Sequence, residues 1–385
     1  MRSRLWKLAA VLALLLQVGC SPPRSIEALL VVGDIAAGAG VSRLKTTTAP
    51  PGRKTIHYAF EGRTYAADIY WPGGSDTAEA VTVLVPGVVR LGKDDPRLVA
   101  FAYTLARARF LVFVPDLVNL RQFNVSSQDA AALARAVRYV ASRTGVGTEA
   151  SVGMIAFSYA AGPALLAAMA EETRETVRFV YAVGPYFNIE TVVTFLTTGH
   201  FRQSPNSPWS KSAPSPYAAW VFIHSCAAWL DDPDDRRILT AIAEAKLADA
   251  DAEISDLLGQ LGPEGRKIQA LLANTDPENV PGLIAGLPGP VLTELRALDL
   301  STRDLGDLKA RLILIHGRDD LLIPHTESVA LAAALHGDKT RLFIVDSLKH
   351  VELQFAGITG IFRLWQAVRT LLEERDRMPR PSRRE

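Results

Sequence analysis

A chain of 385 residues, 48% of them apolar, can bury a core larger than one minimal domain needs. Its formal net charge is +1 and the body of the chain carries no basic stripe, which excludes the electrostatic footprint of a nucleic-acid binder. Two cysteines, Cys20 and Cys226, provide no zinc-type spacing and no disulfide framework, so neither metal nor cofactor is called for.

Taken in chain order, Arg2, Arg4 and Lys7 form a basic start, and residues 8 to 16 form an apolar run too short to favour a membrane span. That pattern predicts an export signal over residues 1–19. Residues 26 to 39 suit a helix docking on the body, and TTTAPPGRK is a turn-rich connector, giving a linker segment 20–53. Two strands, 55 to 60 and 64 to 71, are joined at Glu61-Gly62 as a hairpin. A strand at 81 to 85 follows, then a helix that Asp95 caps and Pro96 opens, running to Arg107. Next come a strand at 110 to 114, a helix at 127 to 142, a strand at 151 to 156, an Ala-rich helix and a strand at 177 to 183. Such alternation predicts an α/β fold with a mostly parallel sheet covered by helices on both faces.

Residues 186–300 exceed any ordinary crossover and read as an insertion. Its first part, GHFRQSPNSPWSKSAPSPYAAW, is rich in Pro, Ser and aromatics; residues 235 to 273 are helical in composition. The body resumes with LILIHGRDDLLIP, residues 312 to 324, in which an apolar strand ends at His316-Gly317 and Asp319-Asp320 follow. A last strand at 342 to 345 leads into a loop with His350. The end of the chain, with arginines from Arg375 to Arg384 and two prolines, reads as a solvated, disordered basic tail over residues 376–385.

The stretch IAFSYAAG, residues 155 to 162, puts Ser158 between a buried-strand pattern and a helical one. Ala156-Phe157-Ser158-Tyr159-Ala160 resembles the G-x-S-x-G nucleophile elbow of the α/β-hydrolases with both glycines replaced by alanine. The order serine, acid, histidine matches that superfamily, and H-G-x-x-D-x-x-x-P over 316 to 324 is similar to its acid loop. The resemblance covers residues 54–185 and 301–375. It implies the α/β-hydrolase fold and a triad of Ser158, Asp320 and His350, with Ser158 attacking, His350 as base and Asp320 orienting the imidazole. It also implies an oxyanion hole from the Tyr159 N–H and the Val88 N–H, ahead of Val89, because Pro86-Gly87-Val88 stands where relatives have His-Gly-x. The insertion resembles the cap many relatives carry, with Phe201, Trp209, Tyr217, Trp220 and Phe222 available to line an apolar pocket or to form the cap's own core.

Competing assignments are few. Asp319 is the neighbouring acid, and Glu190 holds that role in some relatives. His316 reads as a structural or supporting residue and His325 as a first-turn residue near solvent; His57, His200, His224 and His336 read as structural. Cys226 sits in an apolar helical segment without an elbow and reads as a small buried hydrophobe.

The cut site Leu16-Gln17-Val18-Gly19-Cys20 resembles a bacterial lipoprotein signal, which implies lipidation of Cys20 and a membrane-anchored protein on the periplasmic or extracellular face; the alternative is plain secretion. The function expected is an exported serine hydrolase acting on a small-molecule carboxylic ester. A non-catalytic binding relative and an acyltransferase using the same triad are the alternatives, and the presence of all three triad residue types argues against the first.

Overall fold

The computed structural model describes residues 22–74, 77–144, 151–335, 337–346, 348–350, 352–353 and 358–381. The expected export signal, Cys20 and His336 lie outside them. Eight strands form one sheet: β1 (Gly52–Phe60), β2 (Arg63–Trp71), β3 (Ala80–Val85), β4 (Phe110–Pro115), β5 (Val152–Phe157), β6 (Val177–Val183), β7 (Arg311–Gly317) and β8 (Thr340–Val345). Their spatial order is β1-β2-β4-β3-β5-β6-β7-β8. The β1–β2 hairpin and the β2–β4 pairing are antiparallel, and every other pairing is parallel.

Side-chain alternation along the central strands explains the layers. Val83, Met154, Ala156, Val180, Ala182, Leu312 and Leu314 join one buried cluster, whereas Leu84, Ile155, Phe179, Tyr181, Ile313 and Ile315 join another on the opposite face. The first face is covered by α3 (Gln128–Thr144) and α4 (Ala161–Met169), through Leu133, Val137, Ala164 and Leu165. The second is covered by α1 (Pro22–Ala37), α2 (Pro96–Arg107) and α11 (Ile358–Arg377), through Val31, Leu98, Leu105, Trp365 and Val368. Each fully buried Leu, Ile or Val contributes about 1.5–3 kcal/mol, so both faces are substantial cores.

The insertion between β6 and β7 holds helices α5 (Ile189–Thr198), α6 (Pro216–Trp229), α7 (Pro233–Ala248), α8 (Pro263–Ala273) and α9 (Gly289–Leu298). They enclose a third cluster of their own, including Ile223, Cys226, Ile242, Ile268 and Val291. Helix α10 (Thr326–Ala334) then connects β7 to β8. Among the described residues no helix is long and apolar enough to cross a membrane.

The carboxyl-terminal expectation needs correction. Helix α11 continues to Arg377, and Arg375 is only 2% exposed. Its guanidinium pairs with Glu27, reaches Glu79 at 3.3 Å and donates to Ala108 O at 2.8 Å. A run of arginines looks solvated in sequence because its acidic partners lie near the opposite end of the chain. Trp365 Nε1 likewise donates to Ser25 O at 2.9 Å, joining α11 to α1.

Candidate active site

Parallel register aligns the strand ends that carry the site. Phe157 lies opposite Val183, Val183 opposite Ile315, and Ile315 opposite Phe343. The residues that leave β5, β6, β7 and β8 therefore emerge at one edge of the sheet.

Ser158 follows β5 with φ 56° and starts a single tight turn before α4. A non-glycine residue in this left-handed region costs about 1–2 kcal/mol, and such strain persists only where the surroundings enforce it. The enforcement is visible: Ala156 and Ala160, on either side of the turn, are fully buried and leave no room for larger side chains. Alanine therefore serves where the superfamily pattern has glycine. Tyr159 is anchored below the turn, its hydroxyl donating to Ser126 O at 3.1 Å and to Asp129 Oδ2 at 3.3 Å. Burial raises the Asp129 carboxyl to about 6 against the bonds it accepts from Ser126, Asn119 and Tyr159.

Asp320 lies just beyond β7 and is buried, whereas Asp319 is exposed. Its Oδ1 accepts the Leu322 and Ile323 N–H groups at 2.8 and 3.0 Å, which fixes the carboxylate plane. Its Oδ2 lies 2.8 Å from His350 Nδ1 and 3.3 Å from His316 Nε2. Burial pushes this carboxyl up, but hydrogen bonds from His316 and His350 outweigh it and hold the group well below the usual carboxylate range. With its Nδ1–H given to Asp320, His350 keeps Nε2 as its basic nitrogen. His316 is fully buried, its Nε2 also meeting Ile323 O at 2.8 Å and its Nδ1 meeting Ser328 Oγ at 2.7 Å.

Two glycines make room for this pair. Gly184, at the end of β6, has φ 64°, and a Cβ there would stand 3.3 Å from His350 Nδ1 and 3.5 Å from Asp320 Oδ2. At Gly317 a Cβ would run into the Leu348 carbonyl at 2.0 Å, so only glycine lets the loop bearing His350 lie against β7.

Ser158, His350 and the segment from Pro86 to Val89 line one cavity of about 990 Å³. A Cβ on Gly87 would sit 3.7 Å from Ser158 Cβ, so this loop passes directly beside the serine. Among the described residues nothing accepts the Val88 N–H, while its carbonyl accepts the Tyr217 hydroxyl at 2.7 Å.

The five aromatics of the insertion separate. Tyr217 and Phe222 line the cavity, as do Ala218, Val221, Ser225 and Trp229 of the same helix. These positions share one face of α6 at a period of 3.6, and Trp220 falls on another face, packed against the cap's own core. Phe201 is turned edge-on to Phe195 and His325, and Trp209 lies under the Arg202 guanidinium with Nε1 donating to Glu278 at 2.7 Å. Phe201, Trp209 and Trp220 are thus removed from the expected lining. Helical periodicity applied to 216–229 would have found the correct face; nothing in the sequence signals Tyr186, Leu196 and Leu295, which also line it.

The remaining candidates lie apart from this chemistry. Glu190 is exposed in the first turn of α5, and His57 is exposed on β1. His200 meets Thr198, His224 meets Asn124, and His325 is half-buried against Phe201 instead of lying near solvent. Cys226 is buried in the cap core, and burial pushes its thiol up. Sequence reasoning missed Glu327, a buried carboxylate that accepts the Phe187 and Asn188 N–H groups at 2.9 and 2.8 Å and so fixes the chain where it enters the cap. Among the described residues no cluster of His, Cys, Asp or Glu could hold a metal ion.

No family model matches the chain, and no curated relative matches it. Solved structures do. A putative hydrolase from Legionella pneumophila subsp. pneumophila str. Philadelphia 1 superposes with a TM-score of 0.55 at 15% identity, covering 87% of this chain and 93% of that one. The rice cell wall degrading esterase LipA from Xanthomonas oryzae superposes with a TM-score of 0.51 at 14% identity, covering 90% of this chain and 94% of that one. The fold is that of the α/β-hydrolases. At these identities the likeness speaks to the fold alone; the chemistry is argued from the site.

Proposed function

We propose that the protein is an exported serine hydrolase that cleaves a carboxylic ester through an acyl-enzyme on Ser158. One observation carries the reading: a strained serine at the β5–α4 turn shares a cavity with a histidine whose Nδ1 lies 2.8 Å from a buried carboxylate. His350 Nε2 takes the Ser158 proton as Oγ attacks the ester carbonyl carbon. Negative charge then gathers on the carbonyl oxygen, and the Tyr159 and Val88 N–H groups are the donors assigned to it. Collapse of the tetrahedral intermediate breaks the bond to the alcohol, which leaves with the proton from His350. Water, activated by the same nitrogen, attacks the acyl carbon, and the carboxylic acid and free Ser158 result. Asp320 stays ionised throughout, holding the tautomer and stabilising the imidazolium.

A fluorophosphonate probe tests this, because phosphonylation requires a base and oxyanion donors already in place. Wild type should label on the Ser158 peptide alone, and Ser158→Ala should lose both labelling and hydrolysis of aryl esters. A folded wild type that neither labels nor turns over any ester would make it a binding protein. Export and lipid attachment at Cys20 belong to the same proposal, on the basic start, the short apolar run and Gly19-Cys20. Fatty-acid probe incorporation should be lost in Cys20→Ser, and equal incorporation in both proteins would remove the anchor.

A further inference from the structure

We propose that the ester taken by this site carries a long apolar acyl chain, housed in the half of the cavity that runs away from the cap to α1. This rests on the acyl-enzyme reading of Ser158. The cavity volume, about 990 Å³, lies at the upper end of the roughly 300–1,000 Å³ of ligand pockets, well beyond what a short ester needs. It also joins two different cores. On one side of Ser158 it is walled by cap residues; on the other it continues over the sheet edge to Phe101, Tyr181, Val183, Ile315, Leu364 and Ile35, all packed in the cluster on the α1, α2 and α11 face.

Tyr181 is paired with Ile155, three residues before Ser158, so this arm descends roughly 10 Å along the strands. At its far end Asp34 and Thr104 are joined at 2.6 Å, and Lys45 holds Asp34 at 2.9 Å, so α1 is a fixed wall. Tyr181 borders the arm on β6. Its side chain is 4% exposed and lines the cavity, yet among the described residues its hydroxyl meets no partner.

Acyl rather than alcohol follows from the order of events. The alcohol must leave and water must enter before the second step, while the acyl group stays bonded to Ser158 through both. The arm walled by buried residues such as Tyr181, Val183 and Ile315 suits the group that stays.

The test is a p-nitrophenyl ester series from butyryl to palmitoyl, read as kcat/KM, together with fluorescence titration of cis-parinaric acid, an unsaturated fatty acid that needs no turnover. Wild type should prefer dodecanoyl over butyryl and should bind parinarate. Ile35→Trp, which fills the arm from a half-buried helix position, should lower the dodecanoyl-to-butyryl ratio and the parinarate affinity about tenfold or more, equivalent to roughly two methylenes denied apolar surroundings. Leu29→Trp, at an exposed position of the same helix that does not line the cavity, should leave that ratio within about twofold, and thermal unfolding of both variants checks their folding. Butyryl turnover with no preference for longer chains and no parinarate binding would overturn the acyl arm and leave the hydrolase reading standing. Parinarate binding that Ile35→Trp weakens, without turnover of any ester, would keep the arm as a fatty-acid site and overturn the hydrolase reading on which it was built.

Discussion

The sheet edge and the cap both contribute to the same cavity, but they place their side chains by different means. At the sheet edge the backbone decides: Ser158 is presented by the β5–α4 turn, Asp320 by the loop after β7, and His350 by a loop pressed on Gly317. In the cap, helices α5 to α9 share a core of their own, and of these α5, α6 and α9 each turn one face to the cavity. A residue's place in the chain fixes its role in the first region. In the second, role depends on how each helix is rotated about its axis.

The comparison is tested most severely at the adjacent acids. Asp320→Asn should lower kcat by roughly 10⁴-fold, the scale seen when a triad acid is neutralised, whereas exposed Asp319→Asn should leave kcat almost unchanged. Rate measurement on both folded variants decides; an inactive Asp319→Asn beside an active Asp320→Asn would shift the acid by one residue.

Gly184→Ala asks whether backbone room is as important as the side chains themselves. The new Cβ is strained at φ 64° and crowds His350 Nδ1, so kcat should fall by up to about a hundredfold. Stability should drop by only about 1–2 kcal/mol, measured by urea unfolding. Equal losses in a remote glycine variant would show that the effect is not local to the His350–Asp320 pair.

Asp129 tests the support beneath Tyr159 through pH. The fold holds the Asp129 proton more tightly than the unfolded chain, so this carboxyl makes stability fall as pH rises from its ordinary 3.8 to about 6, with no further loss above. Unfolding free energies at several pH values should show Asp129→Asn lacking that decline, a relative change on the order of 2 kcal/mol between the two ends of the window. Parallel pH profiles for the two proteins would remove Asp129 as the cause.

The smallest effects belong to the cap. Tyr217→Phe removes the hydrogen bond to the Val88 carbonyl and should cost roughly fivefold in kcat/KM, about 1 kcal/mol. Trp209 packs against Arg202, Glu278 and His200, outside the cavity, so Trp209→Ala should leave kcat/KM within error. A Trp209 variant as impaired as Tyr217→Phe would mean that the cap acts as one rigid unit.

What could be read in the sequence follows the same division. Strand and helix order and the turn at Ser158 follow from local patterns whose geometry is dictated by the backbone, and the acid-loop resemblance points to Asp320, which lies beside His350. The cap aromatics did not resolve, because Phe201, Trp209 and Trp220 are as apolar as Tyr217 and Phe222 and differ only in the direction they face. Arg375 did not resolve either, since nothing near it in the chain announces Glu27 or Glu79. Nor did the half of the cavity against α1, which needs α1, α2, β6 and α11 brought together before it exists.

The Arg375 cluster gives the molecule a clasp. Glu27 belongs to the first described helix and Arg375 to the last, so the buried guanidinium ties the two together. The first and last described helices are therefore joined to each other and, through Glu79 and Ala108, to the sheet side of the fold. Further along α11, Arg363 donates to Ile344 O at 2.6 Å, which fastens the same helix to β8 at the border of the sheet. The turn that presents Ser158 contributes no residue to this clasp.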